Sequence, residues 1–471
     1  MIEGDGSNER VEGERVRYAQ VKLPSWRWEG LRTTFWMVPT ILVVVAGLLF
    51  VVTFEIDWAA YHGHLRLPFW IQVGSPDAGR QVLIAIAAAV LTVVGVVFSI
   101  TILALTLASQ QFGPRMMRNF VRDIGNQVTL GVFVGTFAYS VLTLGSITSA
   151  PPTRLGPFVP RLSITVAEAL LLVDLAVLIY FIHHIAKSIQ LPEVIAGIAR
   201  DLTRAIDVEF PAESSRPDTT ASLGKGKSVN ELLQLIEERG GAVPSDTSGY
   251  LQFVGYAQLV DIAVRTDAVI RLDHRPGHFI VAGRPLATVW PGGAAGQVAL
   301  ALAKAHVTGP HRTLMQDPVF AIDQLVEIAI RALSPAVNDT FTALTCIDWL
   351  AAGLSRVSGR TLEEGVYRDR FGRVRLIESD PSYARMVDRA FDKVRQAARG
   401  MPAVIIRMLD ALTTVMEQTI SAEQRRILAR QAEMIFQSAT ESVPDVNDRK
   451  DIDVRFQRVL ARIAIDDAVE V

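Results

Sequence analysis

The sequence predicts a mainly α-helical membrane protein, in which a four-helix transmembrane domain precedes a cytoplasmic α+β region. Half of the 471 residues are hydrophobic, and they are concentrated before about residue 190. Four apolar stretches in that part each reach the ~20 residues that an α-helix needs to cross a bilayer. After residue 190 the chain is more charged, and its apolar residues recur at helical or strand spacing.

The four apolar stretches cover about residues 35–55, 81–109, 128–149 and 162–186. The first is too long for the apolar part of a signal peptide, and no small-residue cleavage site precedes Glu55 and Asp57. We therefore interpret it as a retained helix. Residues 1–34 then form a cytoplasmic N-terminal segment, and residues 35–186 form the transmembrane domain.

The distribution of basic residues predicts the orientation. Lysine and arginine are more frequent before the first stretch, between the second and third, and after the fourth than in the other two loops. Because cytoplasmic loops carry an excess of these residues, both termini are expected on the cytoplasmic side of the cell inner (plasma) membrane.

The second apolar stretch carries a stripe of hydroxyl side chains. Its members recur at intervals that place them on one face of a helix: Thr92, Ser99, Thr106 and Ser109. Small and hydroxylated residues allow membrane helices to pack closely, whereas polar groups that line a water-filled cavity are also tolerated at membrane depth. The stripe is therefore either a packing interface between helices or the lining of a pore, and in an oligomer it can be both.

A basic segment follows this stretch. Gly113-Pro114 ends the helix, because proline lacks a backbone donor and restricts the residue before it. Three arginines follow at helical spacing: Arg115, Arg118 and Arg122. They predict a basic cytoplasmic elbow that lies near the lipid headgroups.

Two acids occur within the fourth stretch, Glu168 near its outer end and Asp174 near its middle. Inserting an ionisable group at membrane depth costs about 2.5–3.5 kcal/mol of free energy, so such a residue is treated as a candidate functional residue. Asp174 is therefore expected to face the bundle interior, either protonated or beside a hydroxyl of the second helix. A structural hydrogen bond and a role in ion or proton movement both stay open. His183-His184, at the end of this stretch, is expected to cap the helix.

The remainder divides into three predicted parts. Residues 187–249 form a connecting helix and a flexible loop, residues 250–293 a small β module with an inserted helix, and residues 294–471 a helical bundle. The segment "RPGHFIVAGRPLATV" in the β module resembles the hairpin of barrel-sandwich domains such as biotinyl or lipoyl carriers. No lysine lies between Lys227 and Lys304 to carry a prosthetic group, which favours a docking surface over a carrier.

Several classes of function find no support in the sequence. It contains no P-loop, GxSxG, HExxH or CxxC pattern, so we predict no catalytic residues, no metal site and no cofactor, and we expect that the protein is not an enzyme. The net charge of -2 gives no support for nucleic-acid binding, which usually requires a basic surface. The only polar loop that we single out in the bundle is Asn338-Asp339, where helix capping is favoured over catalysis.

Five sequence blocks in order carry a family resemblance: "GVVFSITILALTLASQQFGPRMMRNF", "GVFVGTFAY", "FIHHIAKSIQ", "GHFIVAGRPLA" and "QDPVFAIDQLVEIAIRALSPAVNDTFTAL". They resemble the bacterial predicted membrane proteins called domain of unknown function 2254, from about residue 30 to about residue 430. Thr340 stands where the family favours proline, and Ala321 where it often has glycine. The resemblance implies an integral membrane protein with a large cytoplasmic portion and brings no established activity.

We therefore carry two hypotheses. The first is a homo-oligomeric channel or ion conduit whose cytoplasmic part forms a vestibule or regulatory domain, because channels use such polar linings. The second is a membrane-anchored sensor or scaffold that binds a cytoplasmic partner or a small ligand. In both, the lipid bilayer is the surrounding medium.

Overall fold

The computed structural model describes residues 36–467, apart from 66–67, 69–70, 72–74, 113–122, 149–156, 189, 211–226, 361–364 and 379–382. The chain divides into two compact units. We call Met1–Glu193 the membrane unit and Val194–Val471 the α/β unit.

The membrane unit is built from four long helices. They are Met37–Tyr61 (α1), Pro76–Phe112 (α2), Ile124–Ser146 (α3) and Arg161–Ser188 (α4). All four are long and apolar enough to cross a membrane, which confirms the four helices that the sequence predicts. α2 starts at Pro76 rather than at residue 81, because Ser75 accepts a hydrogen bond from the backbone N–H of Ala78 and so starts a polar first turn.

α3 is the most buried of the four helices. At Gly131 a side-chain β-carbon would lie 2.6 Å from Leu42 Cδ1 and 2.9 Å from the backbone of Pro39, so the two helices approach closely there. The missing side chain is what allows this contact. Leu83, Phe133 and Phe181 are among the buried apolar residues that join the helices into one core.

The rest of the chain alternates helices and short strands. The helices are Leu191–Glu209 (α5), Val229–Arg239 (α6), Tyr256–Arg265 (α7), Ala295–Ala305 (α8), Pro318–Ala332 (α9), Thr340–Ser358 (α10), Tyr383–Ala397 (α11), Pro402–Glu417 (α12), Ala422–Ser442 (α13) and Val446–Asp467 (α14). The strands are Gly241–Pro244 (β1), Gly249–Val254 (β2), Val269–Leu272 (β3), Phe279–Ile280 (β4), Pro285–Trp290 (β5), His306–Gly309 (β6), Val366–Arg368 (β7) and Val374–Glu378 (β8).

These strands form two sheets. The larger has the order β1-β5-β3-β8-β7 and the smaller has the order β4-β2-β6. β3 and β8 run parallel, and the other pairs are antiparallel. α7 and α8 contribute Leu259 and Val298 to a core that also holds Leu251, Ile270 and Leu286 from the strands.

The sheets extend beyond the predicted β module. β1, β6, β7 and β8 all lie outside residues 250–293, and the predicted hairpin is divided between the sheets, with β4 in one and β5 in the other. Helices α9–α14 form the predicted bundle, in which α12 packs against α10 and α14. Within the α/β unit α5 packs on α10, where Gly353 makes room for the side chain of Leu202.

Candidate intramembrane site

The hydroxyl stripe of α2 lies on the surface of the membrane unit. Thr92, Ser99 and Thr106 are exposed, and each hydroxyl donates to the backbone carbonyl four residues earlier at 2.8 to 2.9 Å. The side chain of Ser109 and the basic elbow of Arg115, Arg118 and Arg122 lie outside the described residues. Because these hydroxyls are exposed, the stripe does not pack against the other helices in the described part of the membrane unit.

Small residues continue the same exposed face. Ala85, Ala88 and Gly95 are exposed too, and no atom lies within 4 Å of the position a β-carbon of Gly95 would take. α2 also exposes large apolar side chains such as Phe98, as do α1 and α4. In the stripe itself the side chains are small and the hydroxyls are already satisfied by their own helix, which suits close contact with another helix.

Asp174 is buried inside the membrane unit, with 2% of its surface exposed. Its Oδ1 accepts a hydrogen bond of 3.0 Å from Thr136 Oγ1, so the hydroxyl beside it belongs to α3 rather than to α2. Its Oδ2 has no hydrogen-bond partner among the described residues. An acid placed in this way can hold or pass on a proton, and it can also serve as a neutral hydrogen-bonding group.

Glu168 lies elsewhere. It is exposed on α4, about two turns after the helix begins at Arg161, whereas Asp174 is buried. The two acids therefore do not form one site. A carboxylate at this depth needs water, an interfacial position or a partner chain beside it.

A third acid, Asp57, forms a buried contact that the sequence analysis did not predict. Its carboxylate accepts hydrogen bonds from the backbone N–H groups of Leu162 (2.8 Å) and Ser163 (2.9 Å) and from the Ser163 hydroxyl (2.8 Å). α1 thus caps the first turn of α4, whose N–H groups have no acceptor within their own helix. Tyr139 joins this cluster, because its hydroxyl contacts Thr53 Oγ1 at 2.8 Å and donates to the Ser163 carbonyl at 3.2 Å.

The opposite end of α3 carries a second polar pair. Asp123 caps α3 by accepting a hydrogen bond of 2.7 Å from the backbone N–H of Gly125, and its Oδ2 lies 2.8 Å from His184 Nε2. The ring of Tyr180 stacks on that of His184. His184 therefore acts on the cap of α3 as well as lying at the end of its own helix.

Asn338 and Asp339 lie in the α/β unit at the start of α10. Asp339 accepts hydrogen bonds from the backbone N–H of Thr342 at 3.1 Å and from its hydroxyl at 2.6 Å, and Asn338 has the left-handed backbone that ends the preceding turn. The nearby thiol of Cys346 is buried, and burial raises its pKa to about 12, so it is not a nucleophile near neutral pH. Among the described residues, no group of three or more His, Cys, Asp or Glu side chains could hold a metal ion.

Four apolar helices with acids buried between them, followed by an α/β unit, define a polytopic membrane protein. The chain belongs to the predicted membrane protein family called domain of unknown function 2254, whose sequence model matches residues 32–414. This confirms the resemblance drawn from the five sequence blocks.

The relatives fit this assignment. The chain is 33% identical over 382 residues to uncharacterized proteins of Mycobacterium bovis and of two strains of Mycobacterium tuberculosis, an alignment that covers 80% of this chain and 71% of each relative. No solved structure matches the chain.

Proposed function

We propose that the protein is an ion conduit of the bacterial inner membrane that assembles from several copies through α2. The observation that carries this proposal is the exposed stripe of small and hydroxylated residues on α2, which includes Thr92, Ser99 and Thr106. In the assembly this stripe faces a neighbouring copy and the central axis. These hydroxyls donate to carbonyls of their own helix, and their oxygens can still accept hydrogen bonds from water along such an axis.

Two further observations support the assembly. Glu168 is exposed on α4, and an exposed carboxylate at membrane depth is stabilised by water or by a partner chain. α2 is 37 residues long, so at 1.5 Å per residue it measures about 55 Å and exceeds the ~30 Å hydrocarbon layer. A helix of this length can extend the lining beyond the bilayer.

The α/β unit is the cytoplasmic, regulatory part in this proposal, with both termini on the cytoplasmic side. The excess of basic residues in the corresponding loops supports that orientation. The division into residues 187–249, 250–293 and 294–471 stays a prediction, as does the comparison of the hairpin with barrel-sandwich domains.

Cysteine substitution in reconstituted vesicles tests the conduit. The only cysteine is buried, so Ser99→Cys introduces a single accessible thiol, and Leu172→Cys on the exposed apolar face of α4 is the matched control. We expect Ser99→Cys to form a disulfide between copies and a charged thiol reagent to reduce its ion current, with neither effect at Leu172→Cys. The proposal would be refuted if the reconstituted protein carried no ion current and Ser99→Cys formed no disulfide between copies.

The second candidate function, a sensor or scaffold, is favoured by two open clefts beside β3 of the larger sheet, about 420 and 530 Å³ in volume. They share Arg271 and Asp273, which lie 2.9 Å apart, and the larger cleft adds Arg284 and the exposed ring of Phe279. This combination suits an anionic ligand with an apolar or aromatic body. An anion that raises the melting temperature of the full-length protein but not of Arg271→Met would support this role, and equal shifts in both would argue against it.

A further inference from the structure

A second polar stripe runs through the interior of the membrane unit on α3. Its members recur at helical spacing and are between 0% and 3% exposed: Asn126, Thr129, Thr136, Ser140 and Thr143. From the first to the last, 17 positions at 1.5 Å per residue cover about 26 Å, close to the ~30 Å hydrocarbon layer. The stripe therefore spans most of the membrane inside a single subunit.

Most of these groups lack the hydrogen bonds that buried polar groups normally make. The side-chain amide of Asn126, the hydroxyls of Thr129 and Ser140, and Oδ2 of Asp174 have no partner among the described residues. A buried polar group that stays unsatisfied has lost the hydrogen bonds that it makes with water in the unfolded chain, which is unfavourable. Buried polar groups that the protein does not satisfy are typically bridged by internal water. Thr143 is different, because its hydroxyl donates to the Tyr139 carbonyl at 2.8 Å.

Proton-exchanging groups stand at both ends and in the middle of this stripe. Asp123 and His184 lie 2.8 Å apart at one end and are partly exposed. At the other end the Ser163 hydroxyl donates to Asp57, and the Tyr139 hydroxyl contacts Thr53. Between the two ends, Asp174 accepts the hydrogen bond from Thr136.

We propose that this stripe, together with bound water, forms a proton path through each subunit, with Asp174 as its central relay. A proton arrives from water on one carboxylate oxygen of Asp174 and leaves from the carboxyl group to water on the other side. Only O–H bonds form and break, and the carboxylate is regenerated after each transfer. This path lies inside the bundle, so it does not depend on the axis that α2 is proposed to form.

The same geometry selects the proton over larger ions. Phe133 lies between Thr129 and Thr136 on α3 and is 1% exposed, so it interrupts the polar stripe with a bulky apolar ring. A hydrated cation would have to displace this ring, whereas a proton needs only a transient chain of water past it. Phe133 is therefore the constriction that we assign to the proposed path.

Proton flux into vesicles tests the proposal. The full-length protein is reconstituted with a pH-sensitive dye inside, and a potassium gradient with valinomycin drives proton entry. We expect flux above that of empty vesicles, a loss of at least about tenfold in Asp174→Asn, and a gain in Phe133→Ala. Glu55→Gln, which changes an exposed acid of α1, is the matched control and should keep the wild-type flux.

Several outcomes would overturn it. They are a wild-type flux equal to that of empty vesicles, an unchanged flux in Asp174→Asn, and an unchanged flux in Phe133→Ala. If Asp174→Asn fails to fold, as judged by its elution profile and melting temperature, Phe133→Ala still decides the question. Modification of Ser99→Cys should reduce the ion current and leave the proton flux, so the proton path and the α2 conduit can fail separately.

Discussion

His278 should make the stability of the α/β unit depend on pH in a defined window. Its Nε2 accepts a hydrogen bond of 3.2 Å from Arg275 Nε, which requires that this nitrogen carry no proton. Burial, followed by the positive charges of Arg275, Arg385, His274 and Arg312, lowers the pKa of His278 from 6.5 to about 4. Protonation would therefore remove the hydrogen bond and place another cation beside the arginines.

The sign and size of the effect follow from this difference in pKa. Between pH 6.5 and pH 4 the unfolded chain binds a proton at His278 and the folded chain does not, so stability is lost as the pH falls through this window. Below about pH 4 both states are protonated and the loss levels off. At 1.36 kcal/mol per unit the full difference would give roughly 3 kcal/mol. Because His278 is only partly buried, solvent screening reduces the loss to about 1–2 kcal/mol, or about 2–8 °C in melting temperature for a unit of this size.

The assay is the melting temperature of the full-length protein in detergent, measured from pH 4 to pH 7.5. His278→Gln keeps an acceptor for Arg275 but cannot be protonated, so its melting temperature should fall less than that of the wild type across the window. His306→Gln removes a different histidine of the same unit and serves as the control. Parallel curves for the wild type and His278→Gln would show that this histidine is not titrating as inferred.

Three further predictions test how the side chains pack. Gly277→Ala should lower the free energy of unfolding by about 3 kcal/mol or more. Gly277 has φ +90°, and a β-carbon there would lie 2.1 Å from Asp317 Oδ2. A near-normal melting temperature would contradict this. Gly131→Ala should lower the free energy of unfolding of the membrane unit by about 1–3 kcal/mol. Gly135→Ala is the control and should have a small effect, because the nearest contact of its β-carbon would be 3.4 Å. Equal effects of the two substitutions would speak against the close approach of α1 and α3. Cys346 should resist a thiol reagent at pH 8 until the protein is denatured, because burial raises its pKa to about 12, and rapid native labelling followed by mass spectrometry would refute this.

The membrane helices could be predicted because each apolar stretch satisfies one simple condition of length and hydropathy. The strands β7 and β8 could not, since three to five residues are too few to show a period, and β8 pairs with β3, where Ile270 lies 106 positions before its partner Leu376. β6 follows directly after α8 and was assigned to the helical region for the same reason. Short strands gain their stability from the sheet that they join rather than from their own sequence.

The candidate site was only partly accessible from the sequence. The depth of Asp174 in an apolar stretch is visible there, but its donor, Thr136, depends on how α3 and α4 pack. The spacing of the polar residues on α3 is also visible in the sequence, but spacing alone does not tell whether a helix face meets other helices or lipid. Nothing local indicates that Asp57 would meet Ser163, because 106 positions separate them.

That contact between Asp57 and the start of α4 has a consequence for biogenesis. The first span enters the membrane long before the last one is synthesised, and the leading amides of the last span find their acceptor only when the first is already in place. A shortened protein that begins after α1 would leave these amides without their carboxylate acceptor, which is energetically unfavourable. The first span thus supplies a cap that the last span needs, so an apolar helix without this carboxylate would not replace it.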